Sequence, residues 1–303
     1  MITEKEILRQ IINILSINLQ NDSDMRTGLL NGKMGIAILF YHYARLTGKK
    51  QYNYFPDTFM EKVETYISRC QGKNIFDGSA GIGLATDYII KNEFVEADED
   101  ALENIDPVIK AIEKSDFIKE TGLKAFLFSK GLYFLQRGNK DVLKESLLEA
   151  IHFIKTNPDI KIPLMYINSV VYVALVSSKD SDNKDFYNDL LNLLYEILIN
   201  KSNVKIENQD YFLLKKNISL MSRQQSFKWS KLMPDEFKLT EVPDCYWIDF
   251  IFSEGERIPV DTDEIRMWVK NCLNQFDSDK MYLYKGLTGI GLALINKLNK
   301  QES

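Results

Sequence analysis

An all-α fold, a double-layered α/α toroid of about six to seven helical-hairpin repeats, is predicted by three features of the chain. Three segments share one pattern: Gly32-Lys33-Met34-Gly35-Ile36, Gly78-Ser79-Ala80-Gly81-Ile82 and Gly286-Leu287-Thr288-Gly289-Ile290, each GxxGI followed by an apolar run. Two of them lie near the N-terminus and one near the C-terminus, so the first and last units of a ring would meet and close it. Finally, runs that are apolar on every side alternate with amphipathic ones. A helix apolar all round is buried, whereas one with a polar face meets solvent, so the alternation implies an inner and an outer layer.

The elements follow in order. Glu4 to Leu19 carries apolar residues at three- and four-residue spacing and reads as an outer helix. Gly32 and Gly35 open the first inner helix, whose apolar run from Ile36 to Leu46 stops at Gly48. Phe59 to Ser68 is amphipathic; Gly78 and Gly81 then open a second inner helix through Ile90. The first two GxxG units are about 46 residues apart, and about 208 separate the second from Gly286. Five steps of roughly 42 give seven units, and four longer steps give six. Degenerate units fall near the seven-unit positions. Phe126 to Leu132 keeps Gly131, Tyr166 to Val171 keeps only small and apolar residues, and Tyr211 to Leu214 and Trp247 to Phe252 are the weakest. Leu143 to Ile154, Phe186 to Ile199 and Thr262 to Leu273 are the outer helices between them. The β-branched run Val170 to Val173 could instead be a short strand, and Gln224 to Val242, with Pro234, reads as irregular. Gly286 and Gly289 open the last inner helix. One domain over residues 1–303 is expected.

Each GxxG stands where a loop turns into an inner helix. Glycine accepts the backbone angles of such a turn and lets helices approach closely. It also leaves the first helical N–H groups uncovered. Packing is one reading of these glycines; capture of an anionic or carbonyl group at the helix ends is the other.

The bulk properties exclude several classes. A formal charge of -5 with Lys and Glu mixed along the chain argues against a nucleic-acid footprint. No apolar stretch reaches the roughly 18 residues of a membrane span. The start, Met1 to Glu6, lacks the basic-then-apolar order of a signal peptide. Cys70, Cys245 and Cys272 are far apart and suggest no disulfide framework, so a reducing cytoplasmic setting is expected.

The segments Gly28-Leu29-Leu30-Asn31-Gly32-Lys33-Met34-Gly35-Ile36-Ala37 and Tyr282 to Leu294 resemble the first and last repeats of the LanC-like lanthionine synthetase cyclase family. The resemblance covers about a quarter of the chain, and other α/α toroids also place glycines at inner-helix starts. It implies a double-layered α/α barrel that adds a cysteine thiol of a precursor peptide to a dehydrated residue. In that family a zinc ion held by two Cys and one His lowers the thiol pKa; the ligands lie in a Trp-Cys-Tyr-Gly motif and, one repeat later, in Cys-His-Gly.

This chain departs from that ligand pattern. One repeat, about 39 residues, before Gly286 the register reaches Cys245-Tyr246-Trp247. Tyr246 stands for the family histidine and Trp247 for the glycine, and a further repeat back, near Asn208-Gln209-Asp210, there is no cysteine. Since a zinc site needs three or four ligands, Cys245 is the one metal candidate and the zinc is expected to be lost. Cys245, Tyr246 and His42 are the remaining catalytic candidates. His42, between Tyr41 and Tyr43, reads first as a hydrogen-bonded core histidine; His152 reads as a surface residue, and Cys70 and Cys272 as inert. Trp247, Tyr246, Tyr282 and Tyr284 are expected to rim a peptide-binding mouth. No GxSxG, HExxH, Walker or CxxC motif is present. The expected function is a degenerate cyclase relative that binds a precursor peptide or a peptide-modifying enzyme. The alternatives are an active cyclase with a rebuilt site, or a carbohydrate enzyme using two of Asp77, Asp87, Asp244, Asp249 and Glu254.

Overall fold

The computed structural model describes residues 3–21, 26–69, 74–97, 101–111, 127–157, 162–179, 183–200, 206–234, 236–240, 242–274 and 278–302. Cys70 and Phe126 lie outside them. All regular structure among the described residues is helical. The chain divides into two compact units: unit 1 is Met1–Ile109, Glu241–Phe250 and Ile258–Ser303, and unit 2 is Lys110–Thr240 and Ile251–Arg257.

Unit 1 begins with α1 (Glu4–Asn21), α2 (Lys33–Thr47), α3 (Tyr54–Met60), α4 (Val63–Arg69), α5 (Ser79–Lys91) and α6 (Asp106–Lys110), the last ending at the boundary. Unit 2 contains α7 (Ser129–Arg137), α8 (Lys140–Thr156), α9 (Leu164–Lys179), α10 (Lys184–Asn200), α11 (Asn208–Leu220) and α12 (Arg223–Trp229). Chain order closes with α13 (Trp247–Ile251), α14 (Thr262–Asn274) and α15 (Leu287–Glu302).

Local chemistry explains the helix ends. Thr3 and Glu6 form a reciprocal capping box at α1: the Glu6 N–H donates to Thr3 Oγ1 at 3.3 Å and the Thr3 N–H to Glu6 Oε2 at 2.7 Å. Gly48 ends α2 in the left-handed region, φ 66°, where a side chain would be strained. The expected helix from Phe59 to Ser68 is instead split into α3 and α4. Val170 to Val173 is helical and fully buried within α9, because burial of an all-apolar surface outweighs a weak β preference.

Both units stack buried helices against amphipathic ones. In unit 1, α15 packs on α2 and α2 on α5, while α1 lies on α15 and α3 on α2. The first and last repeats therefore meet, as their spacing predicts. In unit 2, α9 lies between α7 and α11, and α8, α10 and α12 pack behind them. Six full buried helices, α2, α5, α7, α9, α11 and α15, and the short α13 stand at the positions of the predicted repeats among the described residues. No helix among the described residues is long and apolar enough to cross a membrane.

Candidate functional site

The GxxG loops of the first, second and last repeats form one platform in unit 1, joined through the backbone. The Leu30 N–H donates to Phe76 O at 3.1 Å, and the Tyr284 N–H donates to Leu30 O at 2.8 Å. Within the loops, the Lys33 N–H reaches Arg26 O at 2.9 Å and the Gly81 N–H reaches Asn74 O at 3.2 Å. These donors are thus already satisfied by carbonyls, which favours the packing reading of the glycines over anion capture.

Of the two expected reasons for glycine, turn angles and close approach, the structure favours the second. Gly32 and Gly78 have extended backbones, φ -167° and -96°, which any residue adopts. What Gly32 and the other glycines of the loops lack is room. A Cβ on Gly81 would lie 2.2 Å from Ile75 O, one on Gly32 2.4 Å from Gly28 N, and one on Gly35 2.5 Å from Leu29 O. On Gly286 it would lie 2.5 Å from Tyr282 O, and on Gly289 2.8 Å from Leu283 O. Among the described residues of the platform, Lys285 is the left-handed non-glycine residue, φ 53°.

The expected peptide-binding rings do not rim an open mouth. Trp247 is 1% exposed and Tyr246 2%. Trp247 starts α13 and packs edge-on against Tyr284, whose ring in turn meets Phe76, each at 5.2 Å. Tyr246 donates its hydroxyl to Pro259 O at 3.2 Å. Large flat rings gain most by filling the space behind the loops, and that gain draws them inward. Tyr282 is buried too, so of the four rings Tyr284 alone keeps partial access to solvent, as does the neighbouring Lys285. The Trp247 indole N–H finds no acceptor among the described residues.

His42 is half-buried on α2, with Nε2 2.8 Å from the Tyr88 hydroxyl and its ring edge-on to Phe94. Burial first, and the nearby Arg45 charge second, push its pKa down to about 4, so it is a neutral core histidine at pH 7. Burial pushes the Cys272 thiol up to about 11, which makes it a poor nucleophile. The carboxylates proposed for a carbohydrate site are engaged: Asp87 with Lys91 at 2.8 Å, Asp249 with the Ile258 N–H at 2.9 Å, Asp244 with Lys280 at 3.9 Å, and Glu254 with Lys179. Asp77 sits 3.9 Å from Arg26. Desolvation raises its pKa, against the pull of Arg26 and of a hydrogen bond from Asn31. Asn31, Asp77 and Lys285 each directly precede the first glycine of a GxxG unit. That shared register is the signal by which sequence reasoning could have found this trio on the platform.

A sequence model described as "Lanthionine synthetase C-like protein" matches residues 23–211, more than half of the chain. The chain belongs to the lanthionine synthetase C-like family. No curated protein matches it. The family match spans the first two glycine repeats and α7 to α10, and ends before Cys245. At the register where the resemblance implies zinc ligands, the chain carries Cys245, Tyr246 and Trp247. Cys245 offers a buried sulfur, but the next two positions carry a phenol already donating to a carbonyl and an indole that is a donor only. At the other register position the Asp210 carboxylate accepts the Glu207 N–H in the α11 capping box. Among the described residues no group of three or more His, Cys, Asp or Glu could hold a metal ion.

Proposed function

We propose that this lanthionine synthetase C-like protein is catalytically degenerate and binds a precursor peptide, or the enzyme that modifies it, during maturation of a ribosomally made peptide. The observation that carries this reading is the Cys245-Tyr246-Trp247 register. Its phenol and indole are buried where the family motif has an imidazole and a glycine. Burial raises the Tyr246 pKa, so the phenol stays neutral and supplies no anionic ligand. A lone thiolate does not make a zinc site. The glycine loops are intact, because packing rather than metal ligation demands them. Tyr284 and Lys285, with Asn31, Lys33 and Asp77, are side chains of the platform that a peptide could touch.

The test is calorimetry with the precursor peptide encoded beside the gene, followed by free-thiol labelling and mass spectrometry after incubation with its dehydrated form. Binding without loss of free thiol is expected. Protein-dependent loss of thiol would overturn the degenerate reading, and so would one equivalent of zinc that survives dialysis but is lost in Cys245→Ala. Absence of binding to the peptide and to its modifying enzyme would overturn the binding reading.

A further inference from the structure

Unit 1 holds a cavity of about 540 Å³ bordered by α1, α2, α3 and α4, none of whose lining belongs to the glycine platform except Lys33. Its size lies within the range of small-molecule sites, roughly 300–1,000 Å³. One wall is a continuous train of rings: Phe40 meets Phe55 edge-on at 5.6 Å, Phe55 stacks with Phe59 at 6.1 Å, and Phe59 stacks with Tyr66 at 4.9 Å. Such a wall presents flat π-faces and ring edges that suit another ring.

The polar side of the lining is cationic. Lys33, the first residue of α2, and Lys62, between α3 and α4, both face the cavity. Neither ammonium has an ion-pair or hydrogen-bond partner among the described residues. Two of the lining hydroxyls are spent on their own helices, Ser16 donating to Ile12 O and Thr58 to Tyr54 O, each at 2.8 Å; the phenols of Tyr52, Tyr54 and Tyr66 and the Gln51 amide complete the neutral polar lining. The lining holds no carboxylate, so the only charge on it is positive. On a chain with a net charge of -5, two lysines with no carboxylate partner among the described residues, set over an aromatic wall, are a local inversion of sign. The sequence shows the same departure: the position held by Lys33 in the first GxxG unit is Ser79 in the second and Leu287 in the last, and both of those are buried.

We infer that this cavity binds a small aromatic carboxylate, its ring against Phe40, Phe55, Phe59 and Tyr66 and its carboxylate between Lys33 and Lys62. The site is independent of the peptide-binding reading above. A neutral ring would leave both ammonium groups without a partner, and a carboxylate without a ring would leave the wall uncovered. The pair of contacts selects for both features together.

The test is calorimetry of the full chain with 2-naphthoate and with its neutral counterpart 2-naphthylmethanol. One saturable site per chain is expected for the carboxylate, at least about ten-fold tighter than for the alcohol and several-fold weaker at 300 mM than at 50 mM salt. The double variant Lys33→Gln/Lys62→Gln, changed only at solvent-accessible side chains, should remove that ten-fold preference, whereas Lys270→Gln on α14 should keep it. Circular dichroism melts confirm that each variant is folded. Equal affinity for the two probes, full retention of 2-naphthoate binding in the double variant, or no saturable heat up to about 1 mM probe would each overturn the assignment.

Discussion

The two units start their buried helices by different means. In unit 1 the helices begin at glycine loops held by backbone-to-backbone hydrogen bonds, such as Leu30 N–H to Phe76 O and Tyr284 N–H to Leu30 O. In unit 2, where the repeat is degenerate, side chains take over. The Phe128 N–H before α7 donates to Ser169 Oγ at 2.9 Å, and that hydroxyl donates on to Tyr166 O at 2.6 Å. Glu207 and Asp210 cap α11, Asn217 Nδ2 donates to Asn168 O at 2.9 Å, and the buried Lys130 pairs with Glu149 at 2.8 Å. A glycine pattern survives where one backbone must touch another. Where a side chain satisfies the same orphan N–H groups, the pattern is free to drift.

The sharpest break of this contrast is Gly81→Val. Its Cβ would collide with the Ile75 carbonyl, backbone that cannot swing aside, and would also press on Leu29 Cβ at 3.2 Å. A loss of about 3 kcal/mol is expected, with Gly289→Val costing less, since its nearest atom is 2.8 Å away. Urea denaturation measures both, and an unchanged midpoint for Gly81→Val would mean the loops can separate. In unit 2 the matching experiment is Ser169→Ala, which takes away the only acceptor shown for the buried Phe128 N–H. It should cost about 2 kcal/mol; a loss below about 0.5 kcal/mol would show that another acceptor replaces the hydroxyl.

Smaller effects come from the side chains that unit 1 does use. Glu4 Oε1 on α1 lies 3.1 Å from Lys297 Nζ on α15 and accepts the Thr262 hydroxyl at 2.9 Å, tying the first helix to the last. Its own backbone N–H first, then Lys297 and Thr262, hold its pKa down at about 2. A depressed carboxyl pKa contributes stability that is full above the unfolded value, 4.5, and is lost as pH falls from there toward 2. The pair is partly solvated, so Glu4→Gln should cost at most about 1 kcal/mol at pH 7 and flatten the acid limb of the stability profile. Equal acid sensitivity in the variant would remove Glu4 from the account. The weakest effect concerns His42, whose folded pKa is also depressed. Its contribution is constant above the unfolded value of 6.5 and is lost as pH falls toward about 4. The His42 ring resonances should therefore stay at their neutral shifts down to about pH 5 by NMR, and a midpoint near 6.5 would mean that the ring is solvated.

Much of this protein was legible in its residues alone. The helix starts at Gly32, Gly78 and Gly286, the stop at Gly48, the amphipathic partners and the family itself follow from periodicity and short motifs, because helix formation depends on neighbours three and four residues apart. That Cys245 is followed by a tyrosine and a tryptophan is likewise a fact of sequence. Tertiary structure decided the rest. Whether Trp247 and Tyr246 face solvent or core depends on what α15 and the first loop leave open behind them, and no local pattern encodes that space. The glycines could be read as turn formers or as close-approach residues, and only the position of the Ile75 and Leu29 carbonyls distinguishes the two. The aromatic cavity was invisible for the same reason: its wall draws on helices from Ser16 to Tyr66, and side chains scattered through fifty residues become one surface only when packing brings their helices together.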